Sequence, residues 1–451
     1  MLGFFLGEKM KKYFIISIFV LVNANQLFAV GEAGAIFLLI APGAGPAGTG
    51  EAQVAKADDA YASYYNPAGM GFLENREVAG MHVNWLPNLA DDLYYEYLGY
   101  HQYLKGIGTI GAHIIFLNLG EQLATDDQGN ELYTFQSDMW ALTTSFGTTL
   151  STNSSIGLSF KILQQNLAPS GAGSEDSKGS STDFAFDLGY LLKMKKLNFG
   201  TAITNIGPKI WFKDQEQADP APTNMRLGLF STLYNDGYNK INFLFDANKM
   251  MVTRYPSMDW NGDGIISGDR ELMHDDPWYL AIITAWLDDW LLGGDLDKNG
   301  DGIIGGWNWE SDCDDIDNAT DVIFDLDCNG EPSIDEIVPS PIGMDFNDDA
   351  YGKYNNGNIN DQVEVEKGSK KERSILTEFQ EMIYNTGVEY WYTENFALRA
   401  GYIYDYEGKI MNPTFGAGIR LLRYGFDFGY TAGEQGHPRA NTMFFSINMK
   451  L

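Results

Sequence analysis

The chain has 451 residues, a formal net charge of −31 and a mean hydropathy of −0.23. This acidic balance argues against nucleic acid as a partner, because phosphates need basic patches. The length fits several globular domains or one large barrel with an insertion. The 50 glycines, 27 phenylalanines and 25 tyrosines favour the barrel, since membrane strands and their interfacial girdles use such residues.

Residues 1–29 have the pattern of a signal peptide. The basic segment Met10-Lys11-Lys12 precedes an apolar run at 13–22, and Leu27-Phe28-Ala29 offers a cleavage site. A single membrane helix is the alternative, but this run is shorter than the roughly 20 residues needed to span a bilayer. We therefore expect the mature chain to be exported.

Small residues dominate the next segment, 30–75. Glycines at 43, 45, 48 and 50 oppose a long helix, and 52–62 is too small-sided to form a core by itself. A solvated linker is the alternative, but 37–40 and 61–65 are too apolar for one. We therefore predict that 30–75 folds inside a wide barrel as a lumen plug, which includes the motif Asn66, Pro67, Ala68 and Gly69.

From residue 76 onward the sequence alternates with a period of two. The predicted strands are 77–85, 93–104, 109–118, 138–149, 155–165, 183–192, 197–206, 225–234, 240–247, 378–392, 396–406, 414–421, 424–431 and 442–451. An even number of strands, each of ~10 residues, is typical of bacterial outer-membrane barrels. The sequence therefore predicts an all-β transmembrane barrel over 76–451 with about 14 antiparallel strands.

The last strands show the alternation most clearly. Large side chains from Phe396 to Tyr404 fall on one face, and smaller or polar ones fall on the other. The predicted inward set makes the lumen polar and includes Arg399, Asp405, Arg420, Asp427 and Lys450. A soluble β-sandwich shows the same period, but it does not account for so many strands of near-membrane length.

Connections between the predicted strands also alternate in length. The short ones lie near 105, 151–154, 193–196, 235–239, 394 and 423, and most of the others are longer. Outer-membrane barrels have short periplasmic turns and long outer loops. The largest connection, 250–378, is therefore predicted to be an extracellular insertion. It carries about 30 acidic and about 8 basic side chains, and thus most of the negative charge.

Three segments of the insertion have the spacing of calcium-binding loops, with oxygen ligands at positions 1, 3 and 5 and a glycine at 6. The candidate ligands are Asp259, Asn261, Asp263, Asp297, Asn299, Asp301, Asp325, Asp327, Asn329 and Glu336. Only the third loop has an acid at position 12, Glu336, so the closing ligands of the other two stay open. An unstructured acidic loop is the alternative, but charges this dense repel one another unless a cation neutralises them. We predict that calcium binds here.

Two local features accompany these loops. Cys313 and Cys328 lie in a chain expected to be exported, where a disulfide is permitted and would close a loop of about 15 residues. Asp276 and Pro277 precede a predicted helix at 278–292, with Asp276 as its N-cap.

Four stretches resemble the PorV family of outer-membrane proteins of the type IX secretion system. They are 37–70, 84–93, 387–406 and 437–447, and the Asn66 to Met70 motif is also similar to the wider FadL-like barrels. The resemblance covers both ends and most strands and leaves out much of 250–378. It implies a 14-stranded barrel with an N-terminal plug.

The resemblance also implies a function. Members receive secreted cargo through its C-terminal signal domains at the pore protein of the secretion translocon. They deliver that cargo to a cell-surface attachment complex that contains a sortase-like protease, and they are not the catalyst. Outer-membrane lipid is the remaining partner. The acidic insertion departs from the family pattern.

Three classes of function are compared. A secretion partner fits the resemblance, whereas a FadL-like channel for hydrophobic solutes needs an apolar path that the charged inward set does not offer. An outer-membrane enzyme acting on lipid needs a nucleophile paired with a base, and spacing alone identifies none among residues that include only five histidines. We therefore predict a non-enzymatic secretion protein.

Overall fold

A computed structural model describes residues 33–125, 131–168, 179–212, 218–255, 274–288, 353–354, 363–364, 375–406, 408–433 and 441–451. The predicted signal peptide at 1–29 and most of the acidic insertion lie outside these residues. Among the described helices, none is long and apolar enough to cross a membrane.

Fourteen strands of the described chain form a closed antiparallel barrel, which confirms the predicted fold class and strand number. The strands before the insertion are β1 Arg76–Asn84, β2 Tyr94–Leu104, β3 Gly108–Thr125, β4 Glu131–Thr149, β5 Ser154–Ala168, β6 Gly179–Lys193, β7 Leu197–Ile206, β8 Asn224–Asn235 and β9 Asn239–Met250. Within the insertion, β10 Arg254–Tyr255 pairs with β11 His274–Asp275, and β12 Lys353–Tyr354 pairs with β13 Val363–Glu364. The remaining barrel strands are β14 Ile383–Tyr392, β15 Phe396–Asp405, β16 Ile410–Leu421, β17 Tyr424–Thr431 and β18 Thr442–Lys450.

Each barrel strand pairs with its neighbour in sequence, except at two joints. β9 pairs with β14 across the insertion, and β1 pairs with β18 to close the wall. At the closing joint Glu77 lies opposite Lys450 and Val83 lies opposite Phe444. Closure leaves no unpaired strand edge, as a bilayer requires, because lipid offers no hydrogen bonds to an exposed backbone.

Several predicted element boundaries were wrong: β3 extends to Thr125 rather than 118, and β4 begins at Glu131 rather than 138. The strand predicted at 378–392 begins at Ile383, because Ile375–Gln380 form a helix from which the Glu378 carboxylate reaches Lys249 Nζ at 3.1 Å. The helix predicted at 278–292 runs from Trp278 to Thr284, with Pro277 as its N-cap. The N-cap position is thus one residue after Asp276, whose carboxylate accepts a hydrogen bond from Thr284 Oγ1 at 2.7 Å.

The two faces of the wall differ as the alternation predicted. On β15 and β17, Phe396, Leu398 and Phe426 are exposed on the outer surface, whereas Arg399 and Asp427 are buried inside. The short turns all lie at one end of the barrel. In one of them, hydrogen bonds from the backbone N–H groups of Asn239 and Tyr238 hold the pKa of Asp236 well below its usual range.

Residues 33–75 lie within the barrel and are called here the lumen segment. They contain four short helical turns, at Ile36–Leu39, Ala44–Gly48, Ala62–Tyr65 and Pro67–Phe72. Tyr61, Tyr64 and Tyr65 are buried against wall aromatics, and the Tyr61 ring stacks on Tyr97 with centroids 4.8 Å apart. The segment thus acquires from the wall the core that its own small side chains cannot form.

Candidate functional site: the filled lumen

The lumen segment crosses the barrel from one end to the other. Near its start, the Gly34 N–H donates to Pro220 O at 2.9 Å, in the long connection between β7 and β8. Near its end, Leu73 O accepts a hydrogen bond from Thr109 Oγ1 at 2.8 Å, beside the short turn between β2 and β3. The chain then enters β1 at that same short-turn end. The lumen is therefore occupied along its length.

Ten wall strands each place a glycine where the lumen segment touches the wall. An added Cβ would meet the backbone of that segment at nine of them and the Met70 side chain at Gly111. At Gly157 an added Cβ would lie 2.1 Å from the carbonyl carbon of Pro67, and at Gly401 it would lie 2.3 Å from Gly50 N. Both distances are too short for any side chain. We call this set the glycine belt, and its members are Gly111, Gly147, Gly157, Gly189, Gly200, Gly228, Gly387, Gly401, Gly416 and Gly429.

Many belt glycines are cross-strand neighbours. Gly157 lies opposite both Gly147 and Gly189, and Gly416 lies opposite Gly429. Glycine weakens a strand, because it has no side chain to pack. Here the absence of side chains lets the backbone of the lumen segment come into contact with the backbone of the wall.

Asn66 joins the lumen segment to itself and to the wall. Its Oδ1 accepts from Ala68 N at 3.0 Å, which caps the turn that begins at Pro67. Its Nδ2 donates to Val54 O at 3.0 Å and to Tyr190 O on β6 at 3.1 Å. The side chain is fully buried and both ends of the amide are used. Both polar side-chain atoms of this predicted motif residue thus have hydrogen-bond partners.

The other motif residues serve close packing. Pro67 occupies the first position of the turn, where its missing N–H costs nothing. Ala68 is fully buried, and its carbonyl accepts from Ser155 Oγ at 2.6 Å. At Gly69 an added Cβ would lie 2.2 Å from Ala57 O, so the chain crosses itself closely there.

Polar side chains of the wall satisfy the backbone of the lumen segment where it lacks regular structure. Asp246 on β9 accepts from Gln53 N at 2.6 Å and from Val54 N at 2.9 Å. Thr414 Oγ1 accepts from Gly50 N at 2.9 Å, and Ser446 Oγ accepts from Ala44 N at 2.8 Å. The sequence analysis missed these residues, although their polar side chains at inward strand positions were a usable signal.

A ladder of alternating charges spans four neighbouring strands on the inner wall. Arg399 donates to Glu389 and to Asp427, each at 2.8 Å, and Arg420 donates to Asp427 at 2.8 Å. Both guanidinium groups face the Trp391 ring, at 5.5 and 5.4 Å from its centroid. The predicted polar lumen is confirmed at Arg399, Arg420 and Asp427.

One ion pair connects this ladder to the lumen segment. Lys56 Nζ lies 3.4 Å from Glu389 Oε2, so the carboxylate is shared between the segment and Arg399. On β5 and β6 a second buried pair, Lys161 and Asp187, is separated by 2.9 Å. Buried charges of this kind are tolerated only when paired, and losing one partner costs about 3–5 kcal/mol.

The inner wall beside the lumen segment is shielded from water. Ser159, Lys161 and Asp187 are buried on β5 and β6, and Asn242 and Glu389 are buried on β9 and β14. In an open water-filled channel such side chains would be hydrated. At this level the described part of the barrel is therefore filled rather than open.

The predicted metal and disulfide residues cannot be located in the fold. All ten calcium candidates and both cysteines lie outside the described residues: Asp259, Asn261, Asp263, Asp297, Asn299, Asp301, Asp325, Asp327, Asn329, Glu336, Cys313 and Cys328. Calcium binding and the disulfide stay predictions.

Comparison with known proteins identifies the family. A family described as type IX secretion system protein PorV matches residues 23–257, more than half of the chain. The chain belongs to the PorV family. As a member it is an outer-membrane protein of the type IX secretion system. No curated protein sequence matches it.

Solved structures with similar architecture include three outer-membrane barrels. The Ralstonia pickettii toluene transporter TbuX has 11% identity and a TM-score of 0.43, covering 91% of this chain and 97% of that one. The CymD monoaromatic hydrocarbon channel has 11% identity and a TM-score of 0.43, with coverages of 92% and 98%. A Pseudomonas aeruginosa FadL homologue has 10% identity and a TM-score of 0.39, with coverages of 90% and 97%. Similarities this low carry no argument about this PorV-family chain.

The glycine belt leads to a first prediction. Gly157→Val should force the Pro67 backbone away from β5 and destabilise the folded barrel, by about 1–3 kcal/mol or more for such overpacking. The readout is the temperature at which the purified protein loses its compact, fast-migrating form in detergent. Gly80→Ala is the matched control, because an added Cβ on that outward glycine meets nothing closer than 3.7 Å. Equal midpoints for the two variants would contradict the role of the belt.

The Asn66 contacts lead to a second prediction. Asn66→Asp keeps the acceptor for Ala68 but removes both N–H donors and sets a carboxylate oxygen against the carbonyls of Val54 and Tyr190, at a cost of about 1–3 kcal/mol. The same thermal assay should show a large loss. Asn153→Asp provides the control, because that exposed turn residue uses only its acceptor oxygen, toward Ser151 Oγ at 2.8 Å. A similar small change in both variants would argue against the role assigned to Asn66.

Proposed function

We propose that this protein is a non-enzymatic carrier of the type IX secretion system. It receives secreted proteins through their C-terminal signal domains at the translocon pore protein. It then passes them to a cell-surface attachment complex with a sortase-like protease. Membership of the PorV family supports the general role. The filled lumen is the observation that favours a role at the outer surface of the barrel over conduction through it.

We also propose that the lumen segment acts as a plug. Its support is a set of independent connections to the wall, which include the hydrogen bond from Asn66 Nδ2 to Tyr190 O, the Asp246 carboxylate and the Lys56 to Glu389 ion pair. Opening a passage would break these contacts together and leave buried charges on both sides. A barrel closed in this way protects the membrane barrier while cargo is handled outside.

A FadL-like channel for hydrophobic solutes is the second candidate. Such a channel needs an apolar path, and the inner wall instead presents a charge ladder and the Lys161 to Asp187 pair. An apolar solute would have to displace paired, buried ions. The inner wall therefore favours the carrier over the channel.

The long connections lie at the end of the barrel opposite the short turns, and the acidic insertion belongs to them. Outer-membrane barrels direct long loops outward, so we propose that the insertion is extracellular. We further propose that its three Asp-rich loops bind calcium. A dense set of acids attracts a partner or neighbouring molecule by electrostatic steering, an effect that weakens with salt. The insertion would then modulate cargo or partner binding around a barrel that carries the main function.

Cargo display tests the carrier proposal. In a strain that lacks this protein and any related barrel, signal-bearing cargo should stay with the pore or in the periplasm. Removing only 259–361 should have a milder effect at matched barrel abundance. Surface cargo is measured by labelling intact cells, with the restored wild-type protein as the control. Normal surface cargo in the full deletion would defeat the carrier proposal and favour solute transport.

Calcium binding has its own test on the purified full chain. Calcium should slow proteolytic cleavage inside the insertion, because metal binding stabilises the ligand-competent state by mass action. Asp301→Ala and Asp327→Ala should weaken this protection, whereas Asp315→Ala, outside all three loops, should not. Identical cleavage with calcium and with a chelator would contradict calcium binding and favour the alternative, an unstructured acidic loop.

A further inference from the structure

The membrane-facing wall carries an apolar groove of about 900 Å³ at the closing joint of the barrel. Gly80 on β1 lies at its centre, between its cross-strand partners Leu98 on β2 and Ile447 on β18. Gly80 has no side chain to fill the gap, and an added Cβ would meet nothing nearer than Ile447 Cγ2 at 3.7 Å. The groove is lined mainly by apolar side chains of the outer face, among them Leu98, Ile114 and Ile447, so it is open to lipid.

A polar pair borders the groove on the same outer face. His82 on β1 and Glu96 on β2 are cross-strand partners, and His82 Nδ1 lies 3.2 Å from Glu96 Oε1. Their side chains are 54% and 52% exposed. An ionisable pair on a lipid-facing wall carries a desolvation cost unless it lies near the interface or has a polar partner. The barrel fold alone does not require an ionisable pair at this position of the lipid-facing wall.

The neighbouring residues give the depth of the pair in the membrane. In register order around the wall, the row that contains it runs Phe428, Phe445, His82, Glu96, Phe116. Aromatic girdles of this kind lie at the membrane interface, at the level of the lipid headgroups. The adjacent row toward the short turns is apolar and contains Ile447, Gly80 and Leu98. The polar pair is thus at headgroup level, and the groove extends from it into the acyl region.

The charge of this surface selects the headgroup. Among the residues that the structure describes, no Lys or Arg side chain lines the groove. The exposed acids Asp92 and Glu121 lie at the same end of the neighbouring strands, where the Glu121 N–H donates to Asp92 Oδ2 at 2.8 Å. A phosphate-rich glycolipid would meet repulsion here, whereas an ammonium group could donate a charge-assisted hydrogen bond to Glu96.

We propose that this groove binds one membrane lipid whose headgroup carries a primary ammonium. One acyl chain lies along Gly80, between Leu98 and Ile447. The ammonium donates to the Glu96 carboxylate, and the His82 ring orients that carboxylate. This is a lipid site on the outer wall, separate from the lumen and from the long connections that the carrier proposal concerns.

Native mass spectrometry of the purified full chain tests this site with three probe lipids of identical acyl chains. They are phosphatidylethanolamine, with a primary ammonium, phosphatidylcholine, whose ammonium has no N–H donor, and phosphatidylglycerol, which is anionic. The first lipid should show about fivefold or greater occupancy over the other two, as expected for one charge-assisted hydrogen bond. Equal occupancy of all three lipids would mean ordinary annular lipid and would overturn the proposal.

Variants separate the headgroup contact from the groove. Glu96→Gln should abolish the preference for the ethanolamine lipid, whereas Glu121→Gln, an exposed acid outside the groove, should keep it. Gly80→Leu should fill the groove and lower occupancy of all three lipids, whereas Ala400→Leu, an exposed position on β15 outside the groove, should not. The proposal would be overturned if Glu96→Gln kept the preference for the ethanolamine lipid and Gly80→Leu kept the occupancy of all three lipids.

A protein partner on this face is the remaining alternative, and cross-linking in intact membranes distinguishes it. A photo-reactive residue in place of Ile114, which lines the groove but belongs to neither the polar pair nor Gly80, should label lipid and no protein. A reproducible protein adduct, together with no lipid preference, would assign the face to a protein and overturn the lipid site. Heat-dependent migration of every variant confirms that each one is folded before lipid is measured.

Discussion

The structure depends on a backbone that lies inside a barrel without enough regular structure to satisfy its own hydrogen bonds. The lumen segment has only short helical turns, and its N–H and C=O groups are buried. Buried backbone groups that stay unpaired cost free energy comparable to a lost hydrogen bond. The wall therefore has to supply partners from its own side chains, and Asp246, Thr414 and Ser446 do so at positions that would otherwise only need to be small.

The same constraint explains the glycine belt. Side-chain oxygens can reach the lumen segment only if its backbone lies close to the wall, and a Cβ at most contact positions would prevent this approach. Each belt glycine weakens its own strand, but the paired strands on both sides hold it in place. The strands of the wall are thus intrinsically less stable, but their backbone contacts that of the lumen segment. As a result, the lumen segment and the wall form one packed body.

The buried charges give this packing a single arrangement. Arg399 is shared by Glu389 and Asp427, and Glu389 is shared in turn with Lys56 of the lumen segment. Hydrophobic contacts tolerate small shifts, but a shift that separates these ions leaves a charge unpaired in a dry environment. The filled lumen and the outer groove lie on opposite faces of the wall. The inner face packs the lumen segment, whereas the outer wall and the long connections remain exposed.

The sequence by itself determined the barrel, its strand number and the two faces of each strand, because the period of two is written directly in the order of the side chains. Small residues, glycines and short apolar stretches in 30–75 also indicated which segment lies in the lumen. Only the tertiary structure decided which inward residues meet, because partners such as Gly157 and Pro67, or Asp246 and Val54, are far apart in sequence and are joined by barrel closure. The groove at Gly80 could not be predicted from the sequence for the same reason, since β1 and β18 become neighbours only when the two ends of the sheet join. The beginning of the strand predicted at 378–392 also required the fold, because Ile375–Gln380 form a helix, with an ion pair from Glu378 to Lys249, where the residue pattern predicted a strand.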